Sequence, residues 1–303
     1  MKIVTISDIE SNVGFEINPL VKSRILKDRL LYYPLEGQEY DSYILEYLKV
    51  LSLDLSKTGE HRKGEWEKGW KENLDIFRSN GNIESLVPKY HVKSNIARLN
   101  NRIVKSIHPQ FDFKLHSYFV DAVLTKYIPD YQKVCEFGCG TGYHLFRLEK
   151  YFPLVTFLGL DWSKTSQEII KEVAQFTKAD VFGLNFDYYN PDYSFDIEGN
   201  LIYTVASLEQ VGERHEEFLK YLIEKKPGLC VHFEPISEVF DKDNNLLDFL
   251  TAKYFEKRNY LKKFLSRLEE LERLNKIKIL EVRRLNYGSK FIEGHTLIIW
   301  KPL

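Results

Sequence analysis

Apolar side chains recur at helical spacing through most of the first 127 residues. The repeat runs through residues 41–51, 65–77, 94–107 and 113–127, where apolar side chains stand three or four positions apart. Such spacing predicts amphipathic helices, and Ser94 is a residue type that caps a helix N-terminus. The helix face that carries Trp66 and Trp70 is interpreted as packing and not as a substrate wall. The pattern therefore predicts a mainly helical region over residues 1–110.

After residue 130, short apolar runs alternate with helical stretches. The runs occupy residues 133–137, 155–160, 181–184, 201–206 and 229–233. Strands that alternate with helices form right-handed βαβ units, and strands covered on both faces are apolar along their whole length. A helical stretch over residues 246–275 follows, and the chain ends in two extended runs, 277–285 and 295–300. The second of these runs is predicted to return antiparallel to the first.

These elements predict the fold class. Five parallel strands and the terminal pair make an α/β fold with a Rossmann-like, mostly parallel seven-stranded sheet. Helices should cover both faces of this sheet, and a C-terminal antiparallel hairpin should close one edge. We expect the sheet domain to span residues 111–303 and the helical region before it to form a lid or substrate region.

Composition narrows the class of partner and the compartment. The chain has 303 residues, and 43 Lys and Arg against 44 Asp and Glu give a net charge of −1, which disfavours a nucleic-acid partner. The N-terminus lacks the basic start and apolar stretch of a secretory signal. The longest nearly apolar run, residues 152–160, is far shorter than the roughly 20 residues that span a membrane. Three cysteines at irregular spacing fit a reducing compartment. We expect a soluble, cytoplasmic protein with no membrane partner.

A glycine-rich turn carries the strongest chemical signal. Residues 136–142 read Glu-Phe-Gly-Cys-Gly-Thr-Gly, and they close the first predicted strand and open a helix. Glycines allow a tight turn and close approach of a ligand to the backbone, while the helix N-terminus behind them offers free N–H groups. A dinucleotide fingerprint would need its third glycine at position 143, which is Tyr143. The pattern here is instead ExGxGxG.

That pattern resembles motif I of the class I S-adenosylmethionine-dependent methyltransferases, and the resemblance extends over residues 130–303. It implies that Asp161 binds the ribose hydroxyls, that Asp187 faces the adenine amino group, and that Phe186 or Trp162 walls the adenine ring. A ligand-free turn and a helix cap would explain one of these features alone, but not three in register. The cofactor-binding residues predicted in this way are Glu136, Gly138, Gly140, Gly142, Tyr143, Asp161, Trp162, Phe186, Asp187 and Ser207.

Polar groups after the fourth and fifth parallel strands are the candidates for handling the methyl acceptor. Glu209 follows strand four, and His232 and Glu234 share one face of strand five by strand alternation. Ionisable groups in an apolar strand are costly if unpaired, so we predict that these three residues orient or deprotonate a hydroxyl or amine. The alternative is that His232 and Glu234 only hydrogen-bond neighbouring loops. No spacing of His, Cys, Asp or Glu marks a metal site, and none is expected.

The resemblance implies methyl transfer from S-adenosylmethionine, with S-adenosylhomocysteine as the product. We expect O- or N-methylation of a small hydroxylated metabolite or saccharide. Two alternatives stay open: a non-catalytic protein that binds S-adenosylmethionine, and an NAD-dependent oxidoreductase, which Tyr143 disfavours.

Overall fold

The structure is a computed structural model of the chain, and it describes residues 1–89, 94–292 and 295–303. Its strands are β1 (Lys2–Ile3), β2 (Leu31–Pro34), β3 (Ile96–Leu99), β4 (Arg102–Ser106), β5 (Lys133–Phe137), β6 (Thr156–Asp161), β7 (Val181–Asn185), β8 (Leu201–Val205), β9 (Leu229–Glu234), β10 (Ile277–Arg284), β11 (Tyr287–Gly288) and β12 (Thr296–Pro302). Its α-helices are α1 (Ile6–Val13), α2 (Pro19–Asp28), α3 (Gly37–Ser52), α4 (Lys63–Asn80), α5 (Phe111–Tyr127), α6 (Tyr143–Glu149), α7 (Lys164–Thr177), α8 (Glu216–Lys225), α9 (Leu246–Arg258) and α10 (Phe264–Arg273).

Seven strands form one sheet in the spatial order β10-β12-β9-β8-β5-β6-β7. Strands β5 to β9 pair in parallel, while β12 runs antiparallel to both β9 and β10. Successive residues of β5 face opposite cores: Val134 packs with helices α5, α6 and α7, and Cys135 packs with α8 and α10. The predicted fold class, including helices on both faces and the terminal antiparallel hairpin, is confirmed.

Strand order reverses at β5, which has β6 on one side and β8 on the other. The connections after β5 and β8 therefore leave the sheet in opposite directions. In open parallel sheets such a reversal opens a crevice outside the carboxyl ends of the strands, where ligands bind. The glycine-rich turn lies at this point, because it directly follows β5.

The helix predicted over residues 94–107 is wrong. Strands β3 and β4 form a hairpin there, paired from Leu99↔Arg102 to Ile96↔Lys105. Its two turn residues, Asn100 and Asn101, have φ of 51° and 60°. Asparagine tolerates this left-handed conformation, and two such residues in succession make the tight turn that joins antiparallel strands. The Asn-Asn pair thus outweighs the helical spacing of the apolar residues around it.

The N-terminal region therefore combines helices with a small antiparallel sheet of order β1-β2-β4-β3-β11. Strand β11 comes from the segment between β10 and β12, and its Tyr287 pairs with Leu99. One continuous hydrophobic core contains Val21 and Trp70 as well as Val134. Residues before and after position 110 thus fold against each other.

The single long helix predicted over residues 246–275 is two helices. Asn259 ends α9 with φ of 55°, and Lys263 precedes α10 with φ of 58°. These left-handed residues turn the chain between the two helices. Within the described ranges, no helix is both long and apolar enough to cross a membrane.

Candidate functional site

A cavity lies beyond the carboxyl ends of β5, β6 and β8, where the strand order reverses. The sheet side contributes Glu136, Gly138, Cys139, Gly140, Asp161, Trp162, Asp187, Tyr188 and Ser207. The N-terminal side contributes Gly59, Glu60, Lys63, Trp66, Trp70 and Pro88, and α5 contributes Phe113 and His116. The region before residue 110 therefore forms one wall of the cavity.

The glycine-rich turn accepts no side chain at its first two glycines. Gly138 and Gly140 have φ of +69° and +54°, a conformation that L-residues rarely adopt. A Cβ on Gly138 would lie 2.4 Å from Ser207 Cβ, and one on Gly140 would lie 2.9 Å from the Trp70 ring. The turn is held in place because the Gly138 N–H donates to Leu160 O at 2.7 Å. Bare backbone therefore lines this part of the cavity.

Asp161 ends β6 and brings a buried carboxylate to the cavity. It is 5% exposed, and it accepts the N–H groups of Gly140 and Ser163, each at 2.9 Å. Burial raises the pKa of Asp161 to about 6. Each carboxylate oxygen has two lone pairs, so both oxygens can accept a further hydrogen bond from a ligand.

Asp187 connects the sheet to the N-terminal region. Its carboxylate accepts the Tyr189 N–H at 3.0 Å and pairs with Lys63 Nζ, at the start of α4, at 2.6 Å. The Lys63 ammonium also lies 5.7 Å from the Trp162 ring centre and 5.8 Å from that of Tyr189. The Asp187–Lys63 pair thus bridges the two walls of the cavity beside Trp162.

A carboxylate-held histidine lies at the other end of the turn. His144 Nδ1 lies 3.1 Å from Glu136 Oε1, and the Tyr203 hydroxyl donates to Glu136 Oε2 at 3.0 Å. Because a carboxylate only accepts, Nδ1 of His144 carries the hydrogen and Nε2 holds a lone pair in the neutral ring. Both His144 and Glu136 line the cavity. Beside them His116 Nδ1 lies 2.8 Å from the Tyr287 hydroxyl.

Eight of the ten predicted cofactor-binding residues line this one cavity; Gly142 and Phe186 do not. Gly142 instead precedes α6 with φ of 72°. Phe186 packs inside the core, with its ring centre 4.7 Å from that of Phe137. Of the two residues predicted to wall an adenine ring, Trp162 lines the cavity and Phe186 does not.

His232 lies in the core and not at the cavity. It is fully buried, with Nδ1 2.9 Å from Thr204 Oγ1, and the Trp300 indole N–H donates to its Nε2 at 2.9 Å. Since Nε2 accepts, Nδ1 carries the hydrogen and donates to Thr204. Burial lowers the pKa of His232 to about 3. The His232 side chain therefore does not reach an acceptor in the cavity, which argues against its predicted catalytic role.

Glu234 and Glu209 also lie outside the cavity lining. Glu234 is fully buried and accepts three backbone N–H groups, from Ser207 at 3.1 Å and from Leu208 and Glu209 at 3.2 Å. Burial raises the pKa of Glu234 to about 7. Glu234 therefore fixes the loop after β8, which carries Ser207. This contact matches the alternative that these side chains hydrogen-bond neighbouring loops.

Of the three predicted catalytic residues, Glu209 has the fewest hydrogen bonds to its side chain. Its Oε1 accepts from Gln210 Nε2 at 2.8 Å, but its buried Oε2 has no hydrogen-bond partner among the described residues. Burial, with the nearby Glu234 charge, raises the pKa of Glu209 to about 8.

The described ranges contain no group of three or more His, Cys, Asp or Glu side chains able to hold a metal ion.

Sequence reasoning missed the aromatic wall and His116. The rings of Trp66 and Trp70 stack with centres 5.5 Å apart, and both line the cavity although Trp70 also packs in the core. The four-residue spacing of the two tryptophans was the available signal, but it fits a core-facing helix equally well. His116 lies on α5, whose residues are nearly all buried, so no alternation marked it out.

No protein-family model matches this chain, and no curated protein matches it. Among solved structures, it resembles magnesium protoporphyrin IX methyltransferase from Synechocystis with bound S-adenosylhomocysteine, at 14% identity and a TM-score of 0.48, over 64% of this chain and 87% of that one. An O-methyltransferase family 2 protein from Planctomyces limnophilus in complex with apigenin matches at 11% identity and a TM-score of 0.46, over 63% and 58% of the two chains. The cyclase SpnF matches at 14% identity and a TM-score of 0.46, over 61% and 80%. Similarity this weak assigns no activity, because one fold supports many functions.

Proposed function

We propose that this protein is an S-adenosylmethionine-dependent methyltransferase acting on an oxygen or nitrogen of a small acceptor. One observation carries the proposal: the ExGxGxG turn, Asp161 and Asp187 surround a single cavity at the reversal of the strand order. Three features that are far apart in sequence meet there, each of a type suited to one part of an adenosyl ligand.

The residues present fit this cofactor. The bare backbone at Gly138 and Gly140 lets a ligand approach where a Cβ would collide with neighbouring side chains. The Asp161 carboxylate suits the two vicinal hydroxyls of a ribose, and Asp187 suits an amino group beside the Trp162 ring. When bound, S-adenosylmethionine would supply a methyl group on a sulfonium, whose sulfur is a good leaving group because it departs as a neutral thioether.

The protein's own contribution is alignment and exclusion of water. The aromatic side chains of Trp66, Trp70 and Phe113 line the cavity, which suits a flat or aliphatic acceptor. Polar groups of Gln210 and Ser207 line the same cavity and can orient an acceptor hydroxyl or amine. A lining of both aromatic and polar side chains supports a small-molecule acceptor, which includes both a hydroxylated metabolite and a saccharide.

His144 is the group best held to receive the acceptor's proton. Glu136 fixes its Nδ1–H, so the ring presents a basic Nε2 in its neutral form. In the proposed reaction, His144 Nε2 would accept the proton that the acceptor oxygen or nitrogen loses when it is methylated. The proposal therefore assigns proton transfer to His144 and not to Glu209, His232 or Glu234. Glu234 instead holds the loop after β8, and His232 packs in the core.

Two other functions are less well supported. An NAD-dependent oxidoreductase would use a glycine at position 143, where Tyr143 instead opens α6 and lines the cavity. A non-catalytic binding protein would share the cofactor residues, but it would have no need of a carboxylate-held histidine in the same cavity.

Calorimetry tests the proposal. S-adenosylhomocysteine should bind saturably while NAD should not, and Asp161→Asn should weaken that binding by about 1–3 kcal/mol, the scale of lost charge-assisted hydrogen bonds. Asp130→Asn is the matched control, since Asp130 is exposed and precedes the amino end of β5. Tight NAD binding, or equal affinity in both variants, would reject the proposal.

A further inference from the structure

A second cavity lies beside the first and shares Phe113 and Tyr143 with it. The ring centres of these two residues are 5.0 Å apart, so they form the partition between the cavities. Four basic side chains line the second cavity, together with two acidic ones. The basic residues are Arg24, Lys114, Arg147 and Lys150, and the acidic ones are Asp28 and Glu84.

The two arginines share one carboxylate. Asp121 is fully buried, and its Oδ2 accepts from Arg24 Nη1 at 2.6 Å while its Oδ1 accepts from Arg147 Nε at 2.8 Å. The other nearby carboxylate, Asp28, accepts the Tyr118 hydroxyl at 2.7 Å and lies 3.9 Å from Arg24. Among the described residues, Arg24 therefore has two carboxylates near its guanidinium, whereas Arg147 has only the shared Asp121.

Arg147 keeps an unused donor edge. Its side chain is 10% exposed, and its buried Nη1 has no hydrogen-bond partner in the described part of the chain. A buried charged donor left without an acceptor is costly, and buried polar atoms in proteins are nearly always paired. An acceptor that is not part of the described chain would remove this cost.

Two lysines add positive charge around that edge. Lys114 and Lys150 line the cavity, and neither forms an ion pair within the described ranges. Lys114 also belongs to the first turn of the 17-residue helix α5, where the helix dipole favours an anion. Charge, donors and burial thus point to one kind of ligand.

We propose that this second cavity binds a phosphate group, with Arg147 Nη1 as its buried donor and Lys114 and Lys150 as its cationic rim. Guanidinium and ammonium groups together are the usual partners of a phosphate dianion. Resting on the proposed function, we further infer that the phosphate belongs to the methyl acceptor, whose remaining part would reach the first cavity past Phe113 and Tyr143, the two residues that line both cavities.

Titration with inorganic phosphate at constant ionic strength, set with sodium chloride, tests the site. The full-length protein should bind phosphate saturably. The double variant Lys114→Gln/Lys150→Gln should bind phosphate about tenfold more weakly, as expected for lost charge-assisted contacts. Lys49→Gln, an exposed lysine in the last turn of α3, is the control and should change nothing. Absence of saturable binding, or equal affinity in all three proteins, would overturn the proposal.

Two further arms separate this site from the cofactor site and identify the source of the phosphate. Saturating S-adenosylhomocysteine should leave phosphate affinity unchanged; competition between them would place phosphate in the first cavity and overturn the proposal. Failure of S-adenosylhomocysteine to bind, with phosphate still bound, would reject the proposed function alone. Phenyl phosphate should bind more tightly than inorganic phosphate because its ring reaches the aromatic partition, and equal affinity would contradict an acceptor-borne phosphate.

Discussion

Glu209 has a buried carboxyl group, and its ionisation should make the free energy of unfolding depend on pH. Its Oε2 has no partner among the described residues, and burial together with Glu234 raises its pKa from 4.5 to about 8. The folded protein therefore keeps a proton that the unfolded chain releases above pH 4.5. Stability falls as pH rises through this window, because the unfolded state binds fewer protons.

Replacing Glu209 by Gln removes this ionisation and preserves the shape of the side chain. One pKa unit corresponds to about 1.4 kcal/mol. Between pH 5 and pH 7 the wild type should therefore lose about 2–3 kcal/mol of unfolding free energy relative to Glu209→Gln. The variant should be nearly as stable as the wild type at pH 5 and clearly more stable at pH 7.

Urea unfolding of both proteins at pH 5, 6 and 7 measures this difference directly. Glu224→Gln is the matched control, because Glu224 is an exposed carboxylate on α8 and its replacement should produce no pH-dependent difference. A stability difference that does not change with pH would refute the reasoning. A variant less stable than the wild type at pH 7 would do so too, because it would mean that the charged form of Glu209 stabilises the fold.

Three other substitutions separate binding, catalysis and core packing. Gly138→Ala should lower the thermal midpoint and abolish S-adenosylhomocysteine binding in calorimetry, since its Cβ would lie 2.4 Å from Ser207 Cβ at a φ of +69°; normal binding would contradict a closely fitted turn. His144→Asn should keep S-adenosylhomocysteine affinity but lower methyl transfer by about 10²–10⁴-fold, measured with labelled donor on an acceptor found by screening, and undiminished transfer would exclude it as the base. His232→Ala should lower the free energy of unfolding by about 1–3 kcal/mol in urea, because the Trp300 indole N–H loses its buried acceptor; unchanged stability would argue against its core role.

The sheet and the glycine-rich turn could be predicted from the sequence because their signals are local. Apolar runs of four to six residues mark strands buried on both faces, and the spacing of Gly138, Gly140 and Gly142 is readable within seven positions. The hairpin at Asn100 and Asn101 was readable too, but only by giving turn chemistry more weight than the apolar repeat. Local patterns thus determine the elements wherever one signal dominates.

The partners of the ionisable side chains could not be predicted, because they come from distant segments of the chain. Strand alternation correctly puts His232 and Glu234 on one face, yet it does not reveal that Trp300 and Phe264 cover His232 there. Likewise, nothing near Asp187 in the sequence indicates its pairing with Lys63, which lies 124 positions away. Whether an ionisable residue lines a cavity or the core is decided by such long-range packing.

A crystal structure of the protein with S-adenosylhomocysteine tests the central claim most directly. The account predicts ribose hydroxyls within hydrogen-bond distance of Asp161, the adenine beside Trp162, and the homocysteine over residues 138–142. A ligand bound outside this cavity, or a nicotinamide dinucleotide retained within it, would contradict the claim.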